Sequence, residues 1–281
     1  MNQVEWISRA GRTVLLVFGI ASLIAVGLGA AVMARADIPL GIWIRNPIAW
    51  FVAGALAIFL ARLGWLGSWL APVAVIVVAL SLFGPGQEGV YRWLDLGLVQ
   101  LNAAGLVLPA AIVAFDRASS TVTIPCFVLI AGLLAWQPDI SQLAGFSLAA
   151  TVLATTLRYG KLMLGAWVML AAAAIAVCLT RPDPLAPVAH VEGIFTLAWS
   201  ESPVLALGMG ASLAVAALSP LIVWSSHPLG LIAPLGLAIY FATTGAAFLF
   251  GAYPVPLAGY GLSFVIGWWL GIAALCVRRA D

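Results

Sequence analysis

Charged and hydrogen-bonding side chains are scarce in this chain, and four short segments between long apolar runs are unusually rich in polar residues. The segments are residues 89–97, 137–139, 181–201 and 254–261. Their side chains offer two kinds of chemistry: a guanidinium binds phosphate or carboxylate bidentately, and a carboxylate takes a proton from a hydroxyl group. His190, Glu192 and Glu201 are also types that ligate metals, but their spacing matches no specific metal motif. A binding or catalytic site is therefore expected in these four segments.

The composition places these segments in a membrane protein. Of the 281 residues, 64% are hydrophobic and only 8% are charged, and the mean hydropathy is +1.14. A soluble domain carries about a quarter charged residues, so a water-soluble globule is excluded. The net charge of +2 is too small and too dispersed for a nucleic-acid surface. Three cysteines and two histidines, without CxxC or Cys/His spacing, favour neither a disulfide framework nor a zinc or haem centre.

The apolar runs divide the chain into ten predicted transmembrane helices, since one such helix needs roughly 20 apolar residues. They cover approximately residues 14–33, 47–61, 64–84, 97–115, 118–136, 140–157, 162–180, 203–224, 229–250 and 256–277. Eight or nine spans are the alternative, because the second run is short and the fifth and sixth meet at residues 137–139. The predicted fold class is an all-α polytopic membrane protein, with a single transmembrane domain over residues 1–281.

The distribution of Lys and Arg predicts that both ends of the chain lie in the cytoplasm. With residues 1–12 as a cytoplasmic N-terminus, eight basic residues fall on the inner side and four on the outer side, whereas seven of the ten acidic residues fall outside. No charged residue falls inside a predicted span, which disfavours an ion pump or channel. The four polar segments then share the outer side, where residues 181–202 form an outer loop that leads into the eighth helix.

The polar segments contain four motifs. Gly89-Val-Tyr-Arg-Trp-Leu-Asp-Leu-Gly97, followed by Gln100, matches G-x-x-R-W-[IL]-D-L-G with a Gln shortly after it. Gln137-Pro-Asp-Ile140 is similar to Q-P-D-L, and His190-Val-Glu-Gly-Ile-Phe195 with Glu201 is similar to H-T-D-F-I-F…E-E. Pro254-Val-Pro-Leu-Ala-Gly-Tyr-Gly-Leu-Ser263 is similar to P-L-P-F-I-S-Y-G-G-S. In this order and at these helices, the motifs resemble those of the SEDS family (shape, elongation, division and sporulation), which includes the RodA and FtsW glycosyltransferases.

The resemblance implies a SEDS-like bundle of ten helices, both ends inside, in the cytoplasmic (inner) membrane of a bacterium. Family members polymerise the glycan strand of peptidoglycan from lipid II, an undecaprenyl-pyrophosphate-linked disaccharide, during cell division or in the maintenance of cell shape. They usually act with a class B penicillin-binding protein. The expected ligand is therefore lipid II or a related undecaprenyl-linked glycan, and the expected partner is a protein with a single membrane span.

The resemblance also implies which residues form the site. Asp183, in Asp183-Pro-Leu185, takes the place of the catalytic Asp of D-P-L-G, which activates the hydroxyl of the acceptor sugar. A pyrophosphate leaving group needs cationic or metal compensation, so a divalent cation is the one cofactor left open, and no metal-ligand set is predicted. The residues implied in substrate binding are Arg92, Trp93, Asp95, Gln137, Asp139, His190, Glu192, Glu201, Tyr260 and Ser263.

The chain also departs from the family pattern at positions suited to catalysis. The loop from Arg181 to Glu192 is only about a dozen residues long, where the family has a long loop. Residues 103–108 are apolar where the family has P-S-E-L-x-K, so its Glu and Lys are absent. These departures motivate a second hypothesis, a catalytically degenerate relative that acts as a membrane scaffold or partner-binding subunit. A lipid or solute transporter is a third hypothesis, which the lack of charge inside the spans disfavours.

The candidate residues have structural interpretations as well. Arg92 is expected to pair with Asp95 or Asp139 at the membrane interface, where the neighbouring tryptophan is typical of the aromatic belt. Asp183 precedes a proline, and Asp-Pro commonly starts a turn. The glutamates near the eighth helix are favoured by the positive end of its dipole. Tyr260 lies between two glycines, which indicates close backbone packing.

Overall fold

The computed structural model describes residues 7–155, 160–181, 183–226 and 232–277 of the chain. The α-helices in these ranges are α1 Arg9–Arg35, α2 Leu40–Trp43, α3 Arg45–Arg62, α4 Leu70–Leu80, α5 Ala103–Phe115, α6 Ser120–Trp136, α7 Ile140–Ala154, α8 Gly160–Leu179, α9 Ile194–Glu201, α10 Pro203–Leu218, α11 Leu221–Ser226, α12 Ala233–Ala246 and α13 Leu262–Cys276. One antiparallel hairpin, β1 Trp93–Asp95 and β2 Gln100–Asn102, is the only sheet in the described ranges. The predicted all-α class is confirmed.

In the described ranges, each of the ten predicted apolar segments corresponds to one apolar helix of ten or more residues. Three helical stretches, Arg9–Arg35, Leu40–Arg62 and Gly160–Leu179, are long and apolar enough to cross a bilayer. Seven shorter apolar helices of 10–17 residues occupy the other segments. The chain is therefore built as a membrane protein, while the number of crossings and their orientation stay predictions. The loop predicted before the eighth helix contains the short helix α9, which ends where Pro203 begins α10.

Helix α13 is central to the bundle and packs against α1, α3 and α5. Its contact with α5 depends on glycine, because a Cβ atom at Gly267 would lie 2.0 Å from the backbone oxygen of Gly105. Close approach through small residues is how membrane helices commonly associate. On another face of α13 the fully buried Trp268 stacks on Phe241 of α12, with ring centroids 3.9 Å apart. Small residues and stacked rings thus fix the positions of the helices that carry the polar segments.

One end of the bundle gathers both ends of the described chain. Ile7 pairs with Val277 in an antiparallel bridge. The guanidinium of Arg117, in the turn after α5, donates to the backbone oxygens of Leu66 at 3.0 Å and Ala274 at 2.7 Å. The two chain ends, the α3–α4 turn and the α5–α6 turn therefore lie together. The expectation that this end is cytoplasmic rests on charge alone, and three of its basic residues, Arg158, Arg278 and Arg279, lie outside the described ranges.

Candidate functional site

The starts of three helices meet around the buried carboxylate of Asp139. Asp139 caps α7: its Oδ1 accepts hydrogen bonds from Gln142 N at 3.4 Å and from Ser141 Oγ at 3.2 Å. Its Oδ2 accepts from the Nδ2 of Asn102, the residue that caps α5, at 3.1 Å. The backbone N–H of Asn102 donates to Ser263 Oγ, in the first turn of α13, at 2.7 Å. Asp139 thus joins the starts of α5 and α7, and Asn102 joins the start of α5 to that of α13.

Arg92 and Asp183 form an ion pair beside this junction. Arg92 Nη2 lies 2.5 Å from Asp183 Oδ2, and the arginine is only 6% exposed whereas the Asp183 side chain is 36% exposed. The hairpin fixes Arg92, because its backbone oxygen accepts from Ala103 N at 3.0 Å and its guanidinium lies over the Trp93 ring, 5.2 Å from the centroid. The expectation that Arg92 pairs with Asp95 or Asp139 is therefore wrong.

Asp183 uses its two oxygens for different contacts. While Oδ2 meets Arg92, Oδ1 accepts a hydrogen bond from Leu185 N at 3.1 Å, which forms the turn that the Asp-Pro sequence predicts. A carboxylate has about four lone-pair sites, so Asp183 still has acceptor capacity on its exposed side. The buried Nε–H of Arg92 has no hydrogen-bond partner among the residues that the structure describes. The pair thus presents an exposed base next to a cation with a donor to spare.

The strap, residues 183–193, leads from this ion pair to the fourth polar segment. At its far end the backbone oxygen of His190 accepts from Tyr260 N at 2.8 Å, and that of Val191 accepts from Val255 N at 3.3 Å. Glu192 Oε2 accepts from Val188 N at 2.8 Å and so closes the strap on itself. The strap is therefore attached at both ends, and it joins the segment of Arg92 to the segment of Tyr260.

Tyr260 contacts His190, which the sequence indicated, and also Arg45 and Asn46, which it did not. Its hydroxyl accepts a hydrogen bond from Arg45 Nη1 at 3.0 Å, and its ring lies edge-on to His190, with 6.0 Å between centroids. Asn46, which is fully buried, bonds to the backbone on both sides of Tyr260. Arg45 and Asn46 begin α3, where they look like ordinary interface residues, and 215 residues separate Arg45 from its partner. No local sequence signal could have found this contact.

The pKa directions show which groups share this end of the bundle. Burial raises the pKa of Glu192; the charge of Asp183 raises it further, while Arg92 and the backbone hydrogen bond act in the opposite direction. Burial also raises the pKa of the Tyr253 hydroxyl, to which Asp183 and Asp139 add. Burial lowers the pKa of His190, so its imidazole is neutral at pH 7. Glu192 and Tyr253 are thus within electrostatic reach of the Asp183 carboxylate.

We expect Glu192→Gln to raise the thermal midpoint of the protein at pH 8 and to have little effect below about pH 4.5, the ordinary pKa of the carboxyl. A group whose pKa is raised by folding contributes stability below its unfolded pKa and loses that contribution as pH rises through the folded pKa. Glutamine removes the ionisation and still accepts from Val188 N. Intrinsic tryptophan fluorescence during heating in detergent measures the midpoint. The same change at the exposed Glu201 is the control, and a lower midpoint for Glu192→Gln at pH 8 contradicts the prediction.

The remaining predicted residues lie outside the ion pair's own contacts. Gln137 is buried and donates to Val78 O at 3.1 Å and to Ser81 Oγ at 2.8 Å, so it ties the end of α6 to the end of α4. Asp95 is exposed and accepts from Gly97 N at 2.7 Å within the hairpin turn. Glu201 is exposed at the last residue of α9. Among the described residues, no group of three or more His, Cys, Asp and Glu side chains is arranged to hold a metal ion.

Solved structures with the same arrangement of helices identify the fold. The rod shape determining protein RodA of Thermus thermophilus matches over 100% of both chains, with a TM-score of 0.66 and 20% sequence identity. This chain has the RodA fold. A mutant of the same Thermus RodA matches with a TM-score of 0.67 and 19% identity, over 94% of this chain and 98% of that chain. The fold that the four motifs implied is confirmed.

A third solved structure with the RodA fold is that of a peptidoglycan synthase complex, and its description concerns the structural coordination of polymerization and crosslinking. Its chain matches with a TM-score of 0.64 and 19% identity, over 94% of this chain and 98% of that chain. No protein-family model matches this chain, and no curated protein matches it significantly by sequence. At this level of identity the likeness to RodA concerns the fold, and the chemistry has to be argued from the residues.

Proposed function

We propose that this chain is a RodA/FtsW-like protein of the bacterial inner membrane that elongates a cell-wall glycan from lipid II or a related undecaprenyl-linked donor. The observation that carries the proposal is the contact between Arg92 and Asp183. A transferase that acts on a diphosphate-linked sugar needs a base for the acceptor hydroxyl and a cation for the leaving diphosphate. The ion pair supplies one of each, at the end of a RodA fold opposite the chain ends.

In the proposed reaction Asp183 acts as the general base. Its carboxylate takes the proton of an acceptor hydroxyl, the hydroxyl oxygen forms a bond to the anomeric carbon of the donor, and the bond from that carbon to the diphosphate oxygen breaks. The undecaprenyl diphosphate leaves with the electron pair. The exposure of Asp183 supports this role, because a fully buried carboxylate could not meet a second sugar.

Arg92 is proposed to exchange one anion for another. In the structure its guanidinium is bound to Asp183, and a diphosphate can take that place because arginine binds phosphate and carboxylate with the same bidentate geometry. The exchange would free the Asp183 oxygen for the acceptor proton. The two residues would thus act in sequence, with the arrival of the donor exposing the base.

We further propose that the chain works in cell shape or cell division with a single-span partner, such as a class B penicillin-binding protein. The support is the similarity to a chain whose structure is described as a peptidoglycan synthase complex. The lipid-facing surface offers room for a partner helix: α8 carries exposed apolar side chains such as Leu162 and Met169.

A second candidate function is that of a binding subunit without catalysis. Two observations favour it. The strap is short, and the first turns of α5 carry Gly105 and Leu108 at the positions where the SEDS pattern has Glu and Lys. Gly105 has no side chain and Leu108 is fully buried, so no polar group reaches the site from these two positions. As a binding subunit, the chain would use Arg92 to hold an undecaprenyl-linked glycan, or a partner, without a transfer step.

One experiment separates the two candidates. The purified protein in liposomes is given labelled lipid II, with Mg²⁺ in one sample and a chelator in the other, and polymer and bound lipid are both measured. The proposed function predicts polymer, and polymer formed only with Mg²⁺ would add a divalent cation to the site. Bound lipid II without polymer, together with co-purification of a single-span protein, favours the binding subunit. Absence of both polymer and binding contradicts the proposal.

A further inference from the structure

Arg45 is a second cation at the end of the bundle that carries Arg92, and it is presented differently. Arg92 is buried against Asp183, whereas Arg45 is exposed at the first residue of α3. Among the residues that the structure describes, no carboxylate pairs with Arg45, and its Nη1 donates to the hydroxyl of Tyr260 at 3.0 Å. A guanidinium has five N–H donors, so most of its capacity is open to a ligand.

The position of Tyr260 is determined by an unusual use of Asn46. This side chain is fully buried; its Nδ2 donates to Gly259 O at 2.8 Å, and its Oδ1 accepts from Gly261 N at 3.2 Å. Asn46 therefore binds the backbone immediately before and after Tyr260, as a neighbouring strand would. Gly259 allows the strap to approach the same segment, because a Cβ there would lie 2.4 Å from Val191 O. A buried amide and a glycine thus determine the position of one aromatic residue.

The groups around Tyr260 are suited to a sugar that carries a carboxylate. Arg45 can bind a carboxylate bidentately. The phenol of Tyr260 offers an apolar ring with a polar tip, and the neutral imidazole of His190 has one donor and one acceptor nitrogen. Charge, ring surface and neutral hydrogen-bonding groups are therefore available within one set of contacting residues.

The strap connects this set to the Arg92–Asp183 pair. Asp183 is at one end of the strap, and His190, which contacts Tyr260, lies seven residues further on. Seven extended residues span at most about 25 Å. Both groups thus lie along one short segment, an arrangement in which an enzyme would bind two parts of a glycan or two glycans side by side.

We propose that Arg45, Tyr260 and His190 form a second binding subsite, for a carboxylate of the acceptor glycan, and that Asn46 is its positioning residue. The proposal rests on the proposed function, since it assumes that the Arg92–Asp183 pair serves the diphosphate-linked donor. It assigns the two arginines to different ligands: Arg92 binds diphosphate, and Arg45 binds the acidic group of a muramyl-type sugar or its attached peptide.

Two probes test this division of labour on the purified full chain in detergent: undecaprenyl diphosphate, which has no sugar, and a lipid-free disaccharide peptide, which has carboxylates but no diphosphate. Calorimetry measures both affinities. Arg45→Gln is expected to weaken the binding of the disaccharide peptide by about 10- to 100-fold, as for a lost hydrogen-bonded charge. The affinity for undecaprenyl diphosphate should stay within a factor of two of that of the unaltered chain. Arg92→Gln should show the converse. Arg35→Gln removes the same charge from the exposed end of α1 and should change neither.

Three further measurements guard against misfolding and against unspecific charge effects. Tyr260→Phe keeps the ring and the Asn46 contacts, so it should fold normally and weaken the disaccharide peptide by about 3- to 10-fold. A disaccharide peptide with amidated carboxylates should bind the unaltered chain as weakly as the native probe binds Arg45→Gln. Asn46→Ala should weaken the binding of the disaccharide peptide, although it removes no group that touches this ligand.

The inference is overturned if the unaltered chain does not bind the disaccharide peptide, if Arg45→Gln binds it as tightly as the unaltered chain does, or if amidation has no effect. None of these results touches the proposed function, which depends on undecaprenyl diphosphate and Arg92. Failure of the unaltered chain to bind undecaprenyl diphosphate would instead count against the proposed function. In that case, weaker binding of the disaccharide peptide to Arg45→Gln than to the unaltered chain would still support the subsite.

Discussion

Asp183→Asn is expected to lower the rate of glycan elongation by about 100- to 10,000-fold, the usual contribution of a general base. Asparagine has nearly the same shape as aspartate, and its amide oxygen can still accept from Leu185 N, so the turn at the start of the strap should be kept. What is lost is the negative charge and the ability to take a proton. The measurement is the initial rate of polymer formation from labelled lipid II by the purified variant in liposomes.

The same variant tests a second prediction, which would not follow if Asp183 had only a structural role. Removal of the carboxylate frees Arg92 from its only ion-pair partner in the described residues, so undecaprenyl diphosphate should bind as tightly as before or more tightly. The rate should therefore fall without a loss of donor affinity. Asp95→Asn is the matched control, because Asp95 is an exposed carboxylate that caps a turn in the same way. An elongation rate within a few-fold of normal for Asp183→Asn would remove Asp183 from the mechanism.

The helices were predictable because their causes are local. A run of about 20 apolar residues forms a helix in a bilayer whatever its neighbours do, since its backbone must bond to itself. Several helix starts are local as well: Ser8 caps α1, Asn102 caps α5 and Asp139 caps α7, each by accepting from an N–H three residues ahead. The ten segments and the position of the polar motifs at helix ends follow from such signals.

The pairing of Arg92 was not predictable, and the reason is geometric. Asp95 is near in sequence, but residues three apart in an extended strand point to opposite faces, and Asp95 instead closes the hairpin turn with Gly97. Asp139 is excluded because Asn102, Ser141 and the start of α7 use its oxygens. The actual partner is 91 residues away, and the contact depends on the path of the strap. Such a contact exists only after the helices have packed.

Gly29→Ala is expected to destabilise the protein by about 3 kcal/mol or more, at the upper end of the range for overpacked positions. A Cβ atom at Gly29 would lie 2.0 Å from the backbone oxygen of Ala258. A backbone oxygen cannot rotate away as the end of a side chain can, so either α1 or the loop before α13 has to shift. The thermal midpoint in detergent should fall by roughly 5–10 °C.

Gly27→Ala in the same helix is the matched control, because no atom lies within 4 Å of a Cβ placed there. Alanine is the better helix former by about 0.5–1 kcal/mol, so this variant should be as stable as the unaltered protein or more stable. Equal effects of the two substitutions would show that α1 does not press against the Ala258 loop. The comparison also reaches the proposed acceptor subsite, because Ala258 immediately precedes the Gly259–Gly261 segment that Asn46 holds. A shift of that loop should displace Tyr260 from Arg45. Gly29→Ala should therefore weaken the binding of the disaccharide peptide even at temperatures where the variant is fully folded, whereas Gly27→Ala should leave this binding unchanged.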